Sequence, residues 1–468
     1  MRGSMIKMSI AIGVLGAAIS ACGGAVGNST SDSAGGSGGE SQGAGGSLPG
    51  TSGAAAASGT GRAGSTASGG TMSTNATGTS GRSSGSGGSN GRSGAGGLNG
   101  GTGGKSSGAA GSVGSGGTGT GTVTGTRTIP THCSTALPAG AQPADVSHPT
   151  TVVGTGTAAS CTFNALDAAV KQAGVITFNC GTAPVTIAVT STLVLKTTTD
   201  TVIDGGNTVT LDGGNAVQIM NYNSPNWMAL ETRVTLQHLT FINAKTTPTK
   251  AIPTAPAPCS QGFDDGEGGA LYMRDGNLTV IDCTFSHNQA AQLGPDTGGG
   301  AIYITGSKHG ALIAGSVFTD NSASNAAALG GLFAELDIYD SLFQHNTATG
   351  NGANNDDSTK CSVINNGQHE VGSGGNGGAI YQDGGSSTNV LLCGVSVLDN
   401  KAGMGGFGGG VFMTSNDFSG TITIQDSNIT GNTGGSWTQV KQGTLDLGSA
   451  FGVNAKSGVI QNSMLQGK

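Results

Sequence analysis

The chain has 468 residues, enough by length for two or three domains, but its composition is lopsided, with 90 glycines, 10% charged and 4% aromatic residues. Residues 1–129 carry seven Lys and Arg against two Asp and Glu, net +5, and residues 130–468 carry 12 against 24, net −12. An acidic C-terminal part with no basic, aromatic-interleaved patch argues against nucleic acid as a partner.

Arg2 and Lys7 open the chain, and Ile10 to Ile19 is an apolar run too short to span a bilayer comfortably. Residues 1–21 therefore read as an export signal. Ile19-Ser20-Ala21-Cys22 resembles the lipobox of bacterial lipoproteins. That resemblance implies cleavage before Cys22 and its lipidation, and the absence of Asp at position 23 favours the outer membrane over the inner; the alternative is an ordinary signal peptide with a chance cysteine. Several acyl chains, at about 0.8 kcal/mol per buried methylene, give stable anchoring. Residues 22–128 then form a Gly/Ser/Thr-rich stretch, with 38 glycines and no Phe, Tyr or Trp between Gly23 and Thr128. It cannot bury enough apolar surface to offset chain entropy, so a disordered tether is expected, with an end-to-end distance of roughly 60 Å.

Residues 129–212 read as a cap and first coils. Asn164 to Val170 has the pattern of a short amphipathic helix with Asn164 as N-cap. Val175–Phe178 and Thr186–Val189 read as strands, and Ile203 to Asn207 as a turn into Val209–Leu211. Beyond Cys22 there are seven cysteines, Cys133, Cys161, Cys180, Cys259, Cys283, Cys361 and Cys393. An odd number leaves at least one outside any intramolecular disulfide. Cys161 with Cys180, bracketing the helix, is the candidate pair. The irregular spacing, with no CxxC and no His pair at zinc spacing, argues against a metal site built on these cysteines, and no cofactor is expected.

Residues 213–468 repeat. One unit is a glycine pair followed by small, aliphatic and aromatic residues: GGALY at 268–272, GGAIY at 299–303, LGGLF at 329–333, GGAIY at 377–381 and GGGVF at 408–412. The other sets a large apolar residue three positions before an asparagine: Phe285/Asn288, Phe318/Asn321, Phe343/Asn346, Val397/Asn400 and Ile429/Asn432, with a shorter copy at Phe241. Seven positions before the apolar residue stand Val234, Leu278, Ala311, Leu336, Val390 and Ile422, and five before it Leu236, Val280, Ile313, Ile338, Leu392 and Ile424. Those columns have the period of a strand with one buried face. A third, two before it, breaks the parity and predicts a bend. Short strands, bends and a short repeat predict a parallel β-helix, an all-β solenoid whose coils hide their apolar faces by stacking. Stacked asparagines would pass amide hydrogen bonds from coil to coil. A β-propeller, the competing repeat architecture, needs longer blades.

The two units resemble the repeats of the chlamydial polymorphic outer-membrane proteins, within the pectate-lyase-like superfamily, over roughly residues 213–434. The resemblance implies a right-handed β-helix, surface exposure and adhesive roles. Those proteins usually end in a membrane β-barrel, whereas this sequence stops at Lys468 partway through a repeat; the Cys22 lipid would take the barrel's place, leaving an open strand edge.

Three features invite chemistry. Asp264-Asp265-Gly266-Glu267 is a dense acidic loop that could hold a cation or simply be solvated. The residues before the asparagines run His287, Asp320, His345, Asp399 and Gly431, either a pH-responsive or metal-binding ladder or a solvated turn. Tyr272, Tyr303, Phe333, Tyr381 and Phe412 follow aliphatic residues, so strict alternation places them outside as a stripe for a glycan or a surface protein; an internal aromatic stack, or cover by loops, is the alternative. No familiar carboxylate-plus-base arrangement stands out. The expectation is a non-enzymatic, surface-displayed adhesion lipoprotein anchored in the outer membrane, with a polysaccharide lyase or glycoside hydrolase as the alternative.

Overall fold

A computed structural model describes residues 129–249, 265–294, 297–350, 374–385, 388–403, 406–415, 419–434, 444–446 and 451–466. Cys22, the export signal, the tether, Cys259, Cys361, Asp264 and most of the insertion after Gly350 lie outside these residues.

The domain is a parallel β-helix. One ladder stacks Leu193–Val194, Met220–Asn223, Leu271–Arg274, Ile302–Thr305, Leu329–Leu332, Ile380–Gly384, Val411–Ser415 and Phe451–Asn454 in parallel. A second ladder, on another face of the coils, runs from Thr151–Val153 through Gly174–Phe178, Thr201–Asp212 and Arg233–Ile242 to the paired short strands of each later coil, such as Asn277–Ile281 and Thr284–Ser286. Both inner columns keep the register read from the sequence: Val234, Leu278, Ala311, Leu336, Val390 and Ile422 pair in succession, and so do Leu236 to Ile424. The predicted bend is a left-handed residue in every coil, at His238, Asp282, Gly315, Asp340, Gly394, Asp426 and Asn462.

The interior satisfies itself in three ways. Phe241, Phe285, Phe318 and Phe343 stack ring on ring with centroids 4.7, 4.8 and 4.5 Å apart, the strand spacing itself. Each buried ring contributes about 1.5–3 kcal/mol, and each ring pair about 0.5–1.5 kcal/mol more. Asn288, Asn321, Asn346, Asn400 and Asn432 form the expected ladder: each of the first four donates its Nδ2 to the Oδ1 of the next at 2.9–3.0 Å. After the bend, Ser316, Ser341, Ser427 and Ser463 use Oγ to accept main-chain N–H groups of the preceding coil.

Helix α1, Phe163–Gln172, closes the N-terminal end and buries Leu166, Ala169 and Val170 in the same core as Ile176 and Leu193. Its N-cap is Thr162, whose side chain accepts from the Ala165 N–H, and not Asn164, which lies inside the first turn. Asn and Thr both cap well, so composition alone could not place the boundary. Val185–Ala188 and Gly174–Phe178 are strands, and the Ile203–Asn207 turn is a register shift within Thr201–Asp212.

Residues 129–150 lead into the first coils, which Thr150 joins, but the stretch before it also reaches later coils. They form a strap along the outside of the second ladder. Cys133 is disulfide-bonded to Cys393, 260 positions away. The Cys133 N–H donates to Asp340 Oδ1 (2.6 Å) and the Ser134 N–H to Asp426 Oδ2 (2.9 Å). Leu137 and Ala141 pack on the outward side chains Ile281, Leu312, Ala314 and Tyr339. Ala144 exchanges hydrogen bonds with Gln237, and the Thr150 N–H reaches Val175 O in an early coil. A second disulfide joins Cys161 to Cys180 beside α1, and Cys283 is buried, its thiol donating to Leu236 O (3.5 Å).

Candidate ligand-binding surface

The column before the asparagines is first a backbone requirement. Asn243, His287, Asp320, His345 and Asp399 have φ between +52° and +58°, and Gly431 has φ of +71°. Asn, Asp, His and Gly are the residues that enter the left-handed region most readily, so the turn by itself accounts for the residue types in this column. His287 Nδ1 lies 2.6 Å from Ser286 Oγ, and Thr319 Oγ1 donates to Asp320 Oδ2 at 2.7 Å, both local contacts.

The aromatic residues do not make an exposed stripe. Tyr303, Tyr381 and Phe412 are buried, and Tyr272 and Phe333 are half-buried. Tyr381 stacks on Phe412 at 5.2 Å, Phe407 meets Phe412 edge-on, and the Tyr381 hydroxyl donates to Asp383 (2.9 Å). Phe333 is not in the column at all. Leu329 pairs with Ile302 and Gly330 with Tyr303, so the unit in this coil is Ala326-Ala327-Ala328-Leu329-Gly330, three residues ahead of the LGGLF reading. Ala326 takes the left-handed conformation (φ +48°) that glycine supplies in the neighbouring coils. Gly330 leaves room for the Tyr303 ring, which a Cβ there would strike. Alternation sets the direction of a side chain; it does not say whether something lies over it.

In the acidic loop, Asp265 accepts from the Thr249 N–H (2.6 Å) and hydroxyl (2.8 Å), and Glu267 is buried. Other buried carboxylates also hold backbone or neighbours. Asp275 is fully buried, accepts the N–H groups of Ala229 and Leu230 at 2.9 and 3.0 Å, and takes the Ser224 hydroxyl. Asp204 accepts from Gln237 Nε2 (2.8 Å) and lies 3.0 Å from His238 Nδ1, while Asp282 lies 3.7 Å from His238 Nε2. This group ties the strap, through Gln237, to an early coil.

One outer corner differs. The loop fixed by Asp275 raises Trp227 onto the turn at Gly306, where the Met228 N–H donates to Gly306 O (2.8 Å). Trp227 stays 44% exposed and Met228 43%. The Trp227 and Phe333 ring centroids are 5.8 Å apart at 65°, and the Arg274 guanidinium carbon lies over the Trp227 ring, 5.6 Å from its centroid. In the same loop, Glu231 pairs with Lys308 and with His309 Nε2, the latter at 2.8 Å; these contacts hold its carboxyl below the usual range. Neither Trp227 nor Glu231 sits in a repeated motif, so periodicity carries no signal for them. Their markers are an isolated tryptophan and a non-repetitive segment between two coils.

On the second ladder, Glu335 and Asp337 point outward two residues apart. Burial, then the neighbouring Glu335 carboxylate, pushes the Asp337 carboxyl above its usual range. Asn389 Nδ2 donates to Glu335 (2.7 Å).

A family model described as a right handed beta helix region matches residues 263–450, in keeping with the stacked coils above. No curated protein and no solved structure matches the chain.

Proposed function

We propose that the protein is a lipid-anchored, surface-displayed β-helix lipoprotein of a bacterial outer membrane. Its folded domain binds a glycan or a protein on a facing surface and does no chemistry on it. The observation that carries this reading is Trp227, a large aromatic left exposed on a loop whose backbone a fully buried carboxylate holds in place. An apolar side chain in water forfeits about 1.5–3 kcal/mol of burial, and a rigid display of one suits a binding surface. The lipobox-like Cys22 supplies the anchor and the glycine-rich segment the reach.

Two measurements test it. Metabolic labelling with a fatty acid should mark the wild-type chain and vanish in Cys22→Ser. The purified protein should bind cells or immobilised glycans while releasing no reducing ends and no unsaturated products. Sustained product release would sink the reading in favour of a polysaccharide-cleaving enzyme. That second reading has one observation on its side, the raised Asp337 carboxyl beside Glu335, a pattern that acid–base pairs use. Asp337→Asn would then abolish product release.

A further inference from the structure

Trp227 is held in one orientation, not merely left outside. Asp275 fixes the loop through Ser224, Ala229 and Leu230. The ring lies against Gly306, where a side chain would strike it, and the left-handed backbone there (φ +56°) also favours glycine. Phe333 and the Trp227 ring meet at a steep angle, and the Arg274 guanidinium lies over the ring, 5.6 Å from its centroid, so the exposed part of the ring is what remains for a ligand. The turn that carries Gly306 continues into Lys308 and His309, which pair with Glu231, four residues beyond Trp227. Aromatic surface and polar groups thus share one corner, and all three polar side chains are about half exposed or more.

We propose that this corner is a saccharide-binding site, with the Trp227 ring as the platform for the C–H face of a sugar and Glu231, Lys308 and His309 as partners for its hydroxyls. The inference rests on the reading of the domain as a binding module and names the ligand class for it. The negative face of an aromatic ring attracts the positively polarised C–H groups of a sugar ring. Lys308 and His309 are already matched against Glu231, so that group offers donors and an acceptor with its own charge largely compensated, which suits neutral hydroxyls, while the Arg274 guanidinium adds a positive charge over the ring that would admit a uronic acid within the same ligand class. A protein partner needs more: a standard interface covers about 800 Å² on each side, whereas the large apolar side chains exposed at this corner, among the described residues, are Trp227 and Met228.

The test applies the full chain to an array of neutral and uronic-acid oligosaccharides and then titrates the best-bound one calorimetrically. Trp227→Ala should lose about tenfold or more in affinity, Trp227→Phe should stay within about threefold, and Glu231→Gln should weaken binding severalfold. Lys401→Ala, remote from the corner, should change nothing. Raising salt from about 0.05 to about 0.5 M should shift affinity for a neutral oligosaccharide by about twofold or less, because screening acts mainly on net charge. If Trp227→Ala melts early, Lys308→Ala and His309→Ala, both at exposed side chains, must still weaken binding. Undiminished binding in these variants overturns the site. A tenfold loss with salt overturns the hydroxyl contacts. Cell binding with an empty array overturns the saccharide and leaves the adhesive reading standing, whereas no binding to cells or array removes both.

Discussion

Asn346 shows how much one side chain can tie together in a stacked fold. Its Nδ2 donates to Asn400 Oδ1 and to Phe318 O, while its Oδ1 accepts both the main-chain N–H and the Nδ2 of Asn321. Asn346→Asp keeps the shape but replaces the donor with a buried anionic acceptor facing other acceptors. It should lower stability by about 3 kcal/mol or more, read as a fall in the guanidinium midpoint. Gln382 predicts the opposite sign. It pairs with Gly331 and Met413 in an inward column, is fully buried, and neither of its amide atoms has a partner among the described residues. Gln382→Met, of similar volume, should raise stability by about 1–3 kcal/mol, the usual cost of an unsatisfied buried group, read as a higher guanidinium midpoint. A fall would mean that the amide has a function. The asparagines and phenylalanines were legible because their role repeats in every coil. Trp227 was not, since its exposure depends on Asp275 and Gly306, and no period links the three.

At the scale of elements, the strap is the part that pattern reading could not supply. Residues 129–150 have no repeat and no amphipathic period, and in the sequence only their position ahead of the cap places them. Cys133 finds its partner 260 positions away, and spacing offers no reason to choose Cys393 over Cys180. The strap also explains a face that alternation marks as outward yet carries Ile281, Leu312 and Tyr339: Leu137 and Ala141 cover them. In the chain-entropy account, a disulfide closing so long a loop contributes up to about 5 kcal/mol, against about 3 for the short Cys161–Cys180 loop. Cys133→Ser should therefore lower the non-reducing melting temperature more than Cys161→Ser, and the reverse order would show that native contacts already hold the strap. Asp426 adds a pH dependence. The hydroxyl and N–H of Ser134 hold its carboxyl below the usual 3.8. A depressed folded value means that this tie is fully present above the unfolded pKa and is lost as pH falls through the folded one. The Ser134 amide resonance should titrate with a midpoint below 3.8; a midpoint at or above it would show that the tie is absent in solution.

The described coils, taken together, are a stack in which each meets its neighbours through parallel pairing. The fold class and the inner register were readable because a solenoid writes the same environment many times. The covered outer face was not, because what lies on it comes from distant chain. One consequence concerns mechanics. Because Cys133 is bonded to Cys393, a pull applied before the first and after the second crosses the sulfur bridge and bypasses α1 and every coil enclosed between them. The early coils, with the Trp227 corner among them, sit in a closed loop off the line of tension, as a passenger does beside a towrope. Held by its ends in a force instrument, the oxidised protein should yield only the length outside the bridge. Reduction should release roughly 900 Å more, at about 3.5 Å for each position in the enclosed span.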